Sequence, residues 1–158
     1  MRCRTCHQHT LERTTADDSI TVAGHTFTAS LPAHACPGAK CDEIVFDAAS
    51  IQRFELVVAR ALADAGQQSG EAFRFMRKAL GLCAVDLAEL LGVAAETISR
   101  WETGDRDVDR VAFALLGDAV AEQLEGRTRA LDYLRALSKP KRLAKAVRVE
   151  VVVADVAE

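Results

Sequence analysis

"DLAELLGVAAETISRWETGDR", residues Asp86 to Arg106, decides how the chain is read, because two helical periods are hinged on a single glycine. Leu87, Ala88, Leu90 and Leu91 line the inner side of the first helix, Gly92 supplies a tight turn, and Ile98 with Trp101 line the inner side of the second. The pattern is that of a helix-turn-helix. With Ile98 and Trp101 facing the core, the helical period puts Glu96, Ser99, Arg100 and Thr103 on the outer side, with Thr97 beside them and Arg106 just past the end. An outward Arg can make a bidentate bond to guanine, Glu can accept from a cytosine amino group, and Ser or Thr can serve a base edge or a phosphate. Arg100 is therefore the leading candidate for a DNA contact. The competing reading is a solvated helix face on which Arg100, Glu96 and Glu102 pair among themselves.

Outward from this motif the helical pattern continues, over about 71 to 80, 83 to 91, 94 to 103, 107 to 124 and 127 to 137. Upstream, Ile51, Phe54, Val58, Ala61, Leu62 and Ala65 are spaced as one face of another helix, for which Asp47 is a suitable N-cap. Between the two, "AGQQSGE" at 65 to 71 has two glycines and no large apolar residue, and it is expected to be a linker. The first 46 residues read as β structure. In "ITVAGHTFTASL", Ile20, Val22, Phe27, Ala29 and Leu31 carry the apolar positions, Ala23-Gly24 the turn, and "IVF" at 44 to 46 adds a short strand. The fold class expected is α+β, with the sheet at the N-terminal end and helices after it.

With 158 residues and 49% apolar composition, the chain can build folded cores. It has no apolar run long enough to cross a bilayer, and "MRCRTCHQHT" lacks the apolar stretch of a secretory signal, so a cytoplasmic address is expected. The net charge of −3 hides an uneven distribution. Six basic residues face eight acidic ones over 1 to 66, six face eleven over 67 to 126, and eight face four over 127 to 158. DNA binding must therefore use local positive charge, from Arg74, Arg77, Lys78 and Arg106 or from the basic end with Lys139, Lys141, Arg142, Lys145 and Arg148. That end closes in a β-prone run, Val147 to Val153.

Four of the five cysteines and all four histidines lie in the first 41 residues. So short a β segment buries little apolar surface, and in a reducing compartment a Cys-rich segment more often binds metal than forms disulfides. Cys3-x2-Cys6 is a tight knuckle and Cys36-x4-Cys41 a looser one. Two such pairs joined by a hairpin can close a tetrahedral thiolate site, with structural Zn2+ replacing the missing core. A mixed site in which His34 or His7 replaces a Cys ranks second, and merely buried cysteines third, while His9 and His25 read as surface or hairpin residues. Four thiolates leave no position for an activated water, and Cys83 has no histidine in its own domain to activate it, so an enzyme is not expected. Cys83 reads as a small helix residue.

"LGLCAVDLAELLGVAAETISRWETGDRDV" resembles the Xre or Cro-like helix-turn-helix family. It shares Leu87, Ala88, Leu91, Gly92, Val93, Ile98, Ser99, Arg100, Trp101, Glu102, Gly104 and Arg106 with that pattern, but has Cys83-Ala84 in place of Thr-Gln, Ala94 in place of a capping Ser and Val108 in place of Pro. The Cys-bearing segment followed by this motif is similar to the MqsA antitoxin family, also described as YgiT-type zinc-finger/helix-turn-helix proteins, over roughly residues 1 to 125. "MRCRTCHQHTLE" matches that family's opening C-x-x-C and "CDE" at 41 to 43 its C-G-E, with C-x4-C standing for the second C-x-x-C. The resemblance implies a zinc-binding domain over 1 to 66 that binds a ribonuclease toxin. It also implies a Cro-like domain over 67 to 126 that forms a homodimer, binds double-stranded operator DNA and represses its own operon. Residues 127 to 158 form a basic extension. Val111, Leu115, Leu116, Ala119, Val120 and Leu124 could form the dimer seam or, equally well, intramolecular core. A stand-alone zinc-containing or metal-sensing regulator with no toxin partner is the alternative.

Overall fold

The computed structural model describes residues 1–143 and 145–149. Three strands come first, β1 (Glu12–Val22), β2 (His25–Ala35) and β3 (Ile44–Phe46), in one antiparallel sheet of order β1-β2-β3. Six helices follow: α1 (Ala48–Asp64), α2 (Gly70–Ala79), α3 (Ala84–Leu91), α4 (Ala95–Thr103), α5 (Arg110–Leu124) and α6 (Arg129–Ser138). The α+β architecture is as expected.

The hairpin turns over two residues, Ala23 and Gly24, both at positive φ, which sets Val22 opposite His25. That register pairs Ile20 with Phe27 and Ala16 with Leu31, so the apolar positions of both strands share one face. Val22 and Leu31 are buried there in the same apolar cluster as Phe54, Phe73 and Leu116.

α1 buries Phe54, Leu56, Val58, Ala59 and Leu62 against α2 and α5. The expected face is rotated: Ala61 and Ala65 are exposed, and Leu56 and Ala59 take inward places, because the helix must meet both the sheet and α5. At its start Asp47 has the extended backbone of an N-cap but makes no capping bond with its side chain, whose carboxylate lies 3.7 Å from Nδ1 of His34. The stretch after α1 is a tight turn, in which Nε2 of the Gln68 side chain donates to the carbonyl of Val108 at 2.7 Å. Ser69 caps α2 by accepting from the amide of Ala72.

The helical core centres on Phe73, Met76, Leu87, Ile98, Leu116 and Val120, all fully buried, with Phe73 and Trp101 meeting edge to face at 5.7 Å between ring centroids. Leu116, Ala119 and Val120 belong to this core, whereas Val111 is exposed and Leu115 and Leu124 are half-buried. α6 packs Ala130, Leu131 and Leu134 against α3 and α5. The buried carboxylate of Glu122 accepts from one amide in the first turn of that helix, that of Ala130. Of the expected C-terminal β run, Val147 to Val149 form no strand and Glu150 to Val153 lie outside the described residues.

Candidate metal centre and nucleic-acid interface

The sheet delivers the first knuckle to the second. A bridge between Arg2 and Thr10, with the amide of Cys3 donating to the carbonyl of His9 at 2.9 Å, folds the N-terminus into a closed loop. The amide of Cys36 donates to the carbonyl of Glu43 at 3.0 Å at the far end of β2, and this closes the second loop beside the first. The sulfurs of Cys3, Cys6, Cys36 and Cys41 then lie within 4.8 Å of one another, with Cys3 to Cys41 at 3.5 Å and Cys6 to Cys36 at 3.6 Å. Zinc–sulfur bonds of about 2.3 Å in a tetrahedron put the sulfurs about 3.8 Å apart, so the donor set and its spacing fit a four-thiolate metal site. The four cysteines could hold a metal ion through both knuckles, despite the longer second loop.

The surroundings of the sulfurs differ. Cys3 is buried, and that burial pushes its thiol up to about 12, helped by the Glu43 carboxylate, which accepts from the thiol at 2.8 Å. Cys6 is only half-buried; Nδ1 of His9 stands 3.4 Å from its sulfur and, with the amides of Gln8 and His9, holds the thiol down at about 5. Glu43 also accepts from the amide of Thr5 at 2.7 Å, and these two donors hold its carboxyl below the usual range. His34 is turned towards Asp47 and His7 is an exposed turn residue at positive φ, so neither belongs to the cysteine cluster. His9 and Glu43 are the residues that sequence reasoning missed. The adjacency of His9 to the C-x2-C and the "CDE" tripeptide were the available signals.

In the helical half, Gly92 ends α3 in the left-handed region at φ 66° and sends the chain into α4. Ile98 and Trp101 are buried; Glu96, Ser99, Arg100, Thr103 and Arg106 are exposed, and Thr97 is half-buried. Arg100 and Glu96 form an exposed pair one turn apart at 2.6 Å. Glu102 does not share that face. It turns inward and accepts from Nε and Nη2 of Arg77 at 2.6 and 3.0 Å, while Nη1 of Arg77 donates to the carbonyl of Leu82 at 2.6 Å. Arg77 is thus buried between α2 and α4 and has no free donor face for phosphate, contrary to expectation. Arg74, Lys78 and Arg106 remain exposed, as do Lys139, Lys141, Arg142, Lys145 and Arg148.

Of two caps, one differs from expectation and one agrees with it. Cys83 stands outside α3 as its N-cap, and its sulfur accepts from the amide of Asp86 at 3.4 Å. It occupies the capping place rather than a helix position. Ala94 caps α4 with no side-chain acceptor at all.

No curated protein matches this chain closely enough to stand as a relative. A family model for MqsA, the antitoxin component of bacterial toxin-antitoxin systems, matches residues 1–118, a span that holds all four clustered cysteines and the whole of α3 and α4. The chain belongs to the MqsA antitoxin family.

Proposed function

We propose that this antitoxin is a DNA-binding repressor of its own operon, with structural Zn2+ on Cys3, Cys6, Cys36 and Cys41 and a ribonuclease as its toxin. In this reading residues 1 to 66 carry the metal and meet the toxin, residues 67 to 126 read double-stranded operator DNA as a homodimer, and the basic residues after 127 add phosphate contacts. The site is non-enzymatic, since four thiolates complete a tetrahedral coordination sphere. A cytoplasmic location follows from the DNA target, and no helix among the described residues is long and apolar enough to cross a membrane.

The observation that carries the reading is the outer face of α4. Ser99, Arg100 and Thr103 stand exposed on a helix whose opposite side, Ile98 and Trp101, is locked into the core. A rigid scaffold with long polar side chains facing outward can enter a major groove. Exposed pairs one helical turn apart are worth only about 0.3–0.5 kcal/mol, so Arg100 can leave Glu96 for a guanine edge at little cost. Glu96, Thr97 and Arg106 flank it. One such helix reads few base pairs, and two-fold pairing of half-sites supplies the remaining specificity. Of the seam residues, Val111, Leu115 and Leu124 keep surface to offer a second copy.

The test has two arms. Arg100→Ala should lower affinity for the promoter upstream of the gene about ten-fold or more, as expected for one bidentate base contact worth about 1–3 kcal/mol, with fold and metal content unchanged. Retained affinity would remove Arg100 from the reading face. Co-expression with each adjacent reading frame should reveal a toxic product that this chain neutralises and binds in fixed stoichiometry. If no neighbour is toxic or bound, a stand-alone zinc-containing or metal-sensing regulator takes the place of this reading.

A further inference from the structure

We infer that His9 is a fifth functional residue of the cysteine centre, a positioning residue whose Nδ1–H donates to the metal-bound thiolate of Cys6, in a space kept open by Gly38. The inference rests on the proposed metal reading and extends it to a residue outside the ligand set.

Three observations support the assignment. The backbone of His9 is fixed, because its carbonyl accepts from the amide of Cys3 at 2.9 Å and its neighbour Thr10 bridges to Arg2. The ring is half-buried and its Nδ1 lies 3.4 Å from the Cys6 sulfur, within reach of an N–H···S bond. The same edge of the ring lies against Gly38: a Cβ there would stand 3.0 Å from Nδ1 and 3.1 Å from Cε1. The amide of Cys41 closes the same loop on the Gly38 carbonyl at 2.9 Å. His9 therefore fills the gap between the tight first knuckle and the wider Cys36–Cys41 loop.

Chemistry gives the contact its purpose. Four thiolates on one divalent cation leave a net negative centre, and donors aimed at the sulfurs disperse that charge and fix ligand orientation. Cys3 lies buried within the site, whereas Cys6 is partly open to water. A hydrogen bond at Cys6 protects the sulfur that solvent reaches. The bond requires a proton on Nδ1, the ring nitrogen that faces the sulfur.

The test uses the full-length protein loaded with zinc, titrated against a competing chelator, and the same protein loaded with cobalt for its absorption spectrum. His9→Ala should weaken zinc binding about ten-fold or more, the usual effect of losing an outer partner of a metal ligand. The cobalt spectrum should keep its four-sulfur pattern while the thiolate-to-metal band shifts. His9→Asn, which keeps an N–H donor at nearly the same place, should restore most of the affinity. Gly38→Ala should weaken binding when His9 is present and add nothing in the His9→Ala background.

Unchanged affinity in His9→Ala overturns the inference while leaving the metal site intact. So does a wild-type cobalt spectrum of three sulfurs and one nitrogen, which would make His9 a ligand. Equal losses from Gly38→Ala with and without His9, or no rescue by a folded His9→Asn, overturn it as well. If the wild-type protein takes up no metal, the metal reading itself falls and this inference with it.

Discussion

The two ends of the molecule are held together by different physics. Within residues 1 to 46, the buried side chains are Cys3, Leu11, Val22, Leu31 and Ala33, and the outer face of the long hairpin is open to water. From α1 to α6 the interior is filled by Phe54, Leu62, Phe73, Met76, Leu87, Ile98, Leu116 and Val120. One end has a strand ladder and four clustered cysteines that could hold a metal ion; the other depends on packing. The contrast predicts that each end can be damaged by a change that the other barely registers.

The largest effect should follow loss of the ligands. Cys3→Ser with Cys6→Ser should abolish metal binding and strip hydrogen-exchange protection from residues 1 to 46, because structural zinc supplies about 10–16 kcal/mol of apparent folding energy in peptides with no other core. α2 to α5 should keep their protection. Undiminished metal content in the purified variant would show that the cluster is not the site. Loss of protection throughout the chain would show instead that Val22 and Leu31, which share the helical cluster, couple the two ends.

Next comes the converse experiment, aimed at the helical end alone. Glu102→Ala removes the carboxylate that accepts two bonds from Arg77 and leaves a buried guanidinium without its partner. Breaking a buried pair in this way costs about 3–5 kcal/mol. Thermal unfolding of the helices should shift accordingly, with metal content unchanged. A shift no larger than that of an exposed pair would mean that water reaches Arg77.

A smaller loss is expected at Gly70, the first residue of α2. It lies so close to the carbonyls of Trp101 and Glu102 that a Cβ would overlap the Trp101 oxygen and stand 3.0 Å from that of Glu102. Gly70→Ala must push α2 away from α4, at about 1–3 kcal/mol for overpacking of this kind. Both neighbours are backbone atoms, which cannot rotate aside as a side chain would. An unchanged midpoint of unfolding would mean that the two helices are free to slide.

What the chain disclosed before its structure follows the same division between local and distant causes. The α3-turn-α4 unit was readable because its signals, Gly92 and the spacing of Ile98 and Trp101, lie within one short window, and the cysteine pairs because ligation demands a recognisable residue type. Arg77 and Glu102 were misplaced because their pairing spans 25 residues, and helical period alone sets neither which edge of α4 meets α2 nor that a charge is buried there. Gly70 read as linker chemistry because flexibility and close approach call for the same residue. His9 looked like a surface residue since nothing local reveals that Gly38 lies against it. Cys83 read as a helix residue, although the Thr of the resembled pattern at that position already marks a cap.

The capping positions offer the smallest change, and the only one of these expected to stabilise. Ser69, Cys83 and Asp109 each accept from the amide three residues on, at the starts of α2, α3 and α5. Ala94 holds the same extended backbone at the start of α4, φ −71° and ψ 147°, yet its side chain offers no acceptor, and the amide of Thr97 donates to the Ala94 carbonyl instead. It is exposed, so a hydroxyl there meets no packing constraint. Ala94→Ser should let the side chain accept from the amide of Thr97 and gain about 1 kcal/mol. For a chain of this size that corresponds to roughly 2–4 °C in the unfolding midpoint of the helices, with zinc affinity untouched. If the midpoint does not move, the Ala94 carbonyl, which accepts from the Thr97 amide at 2.9 Å, already satisfies that amide. The gain at the other three helix starts would then come from the backbone geometry they share with Ala94 rather than from the side-chain bond.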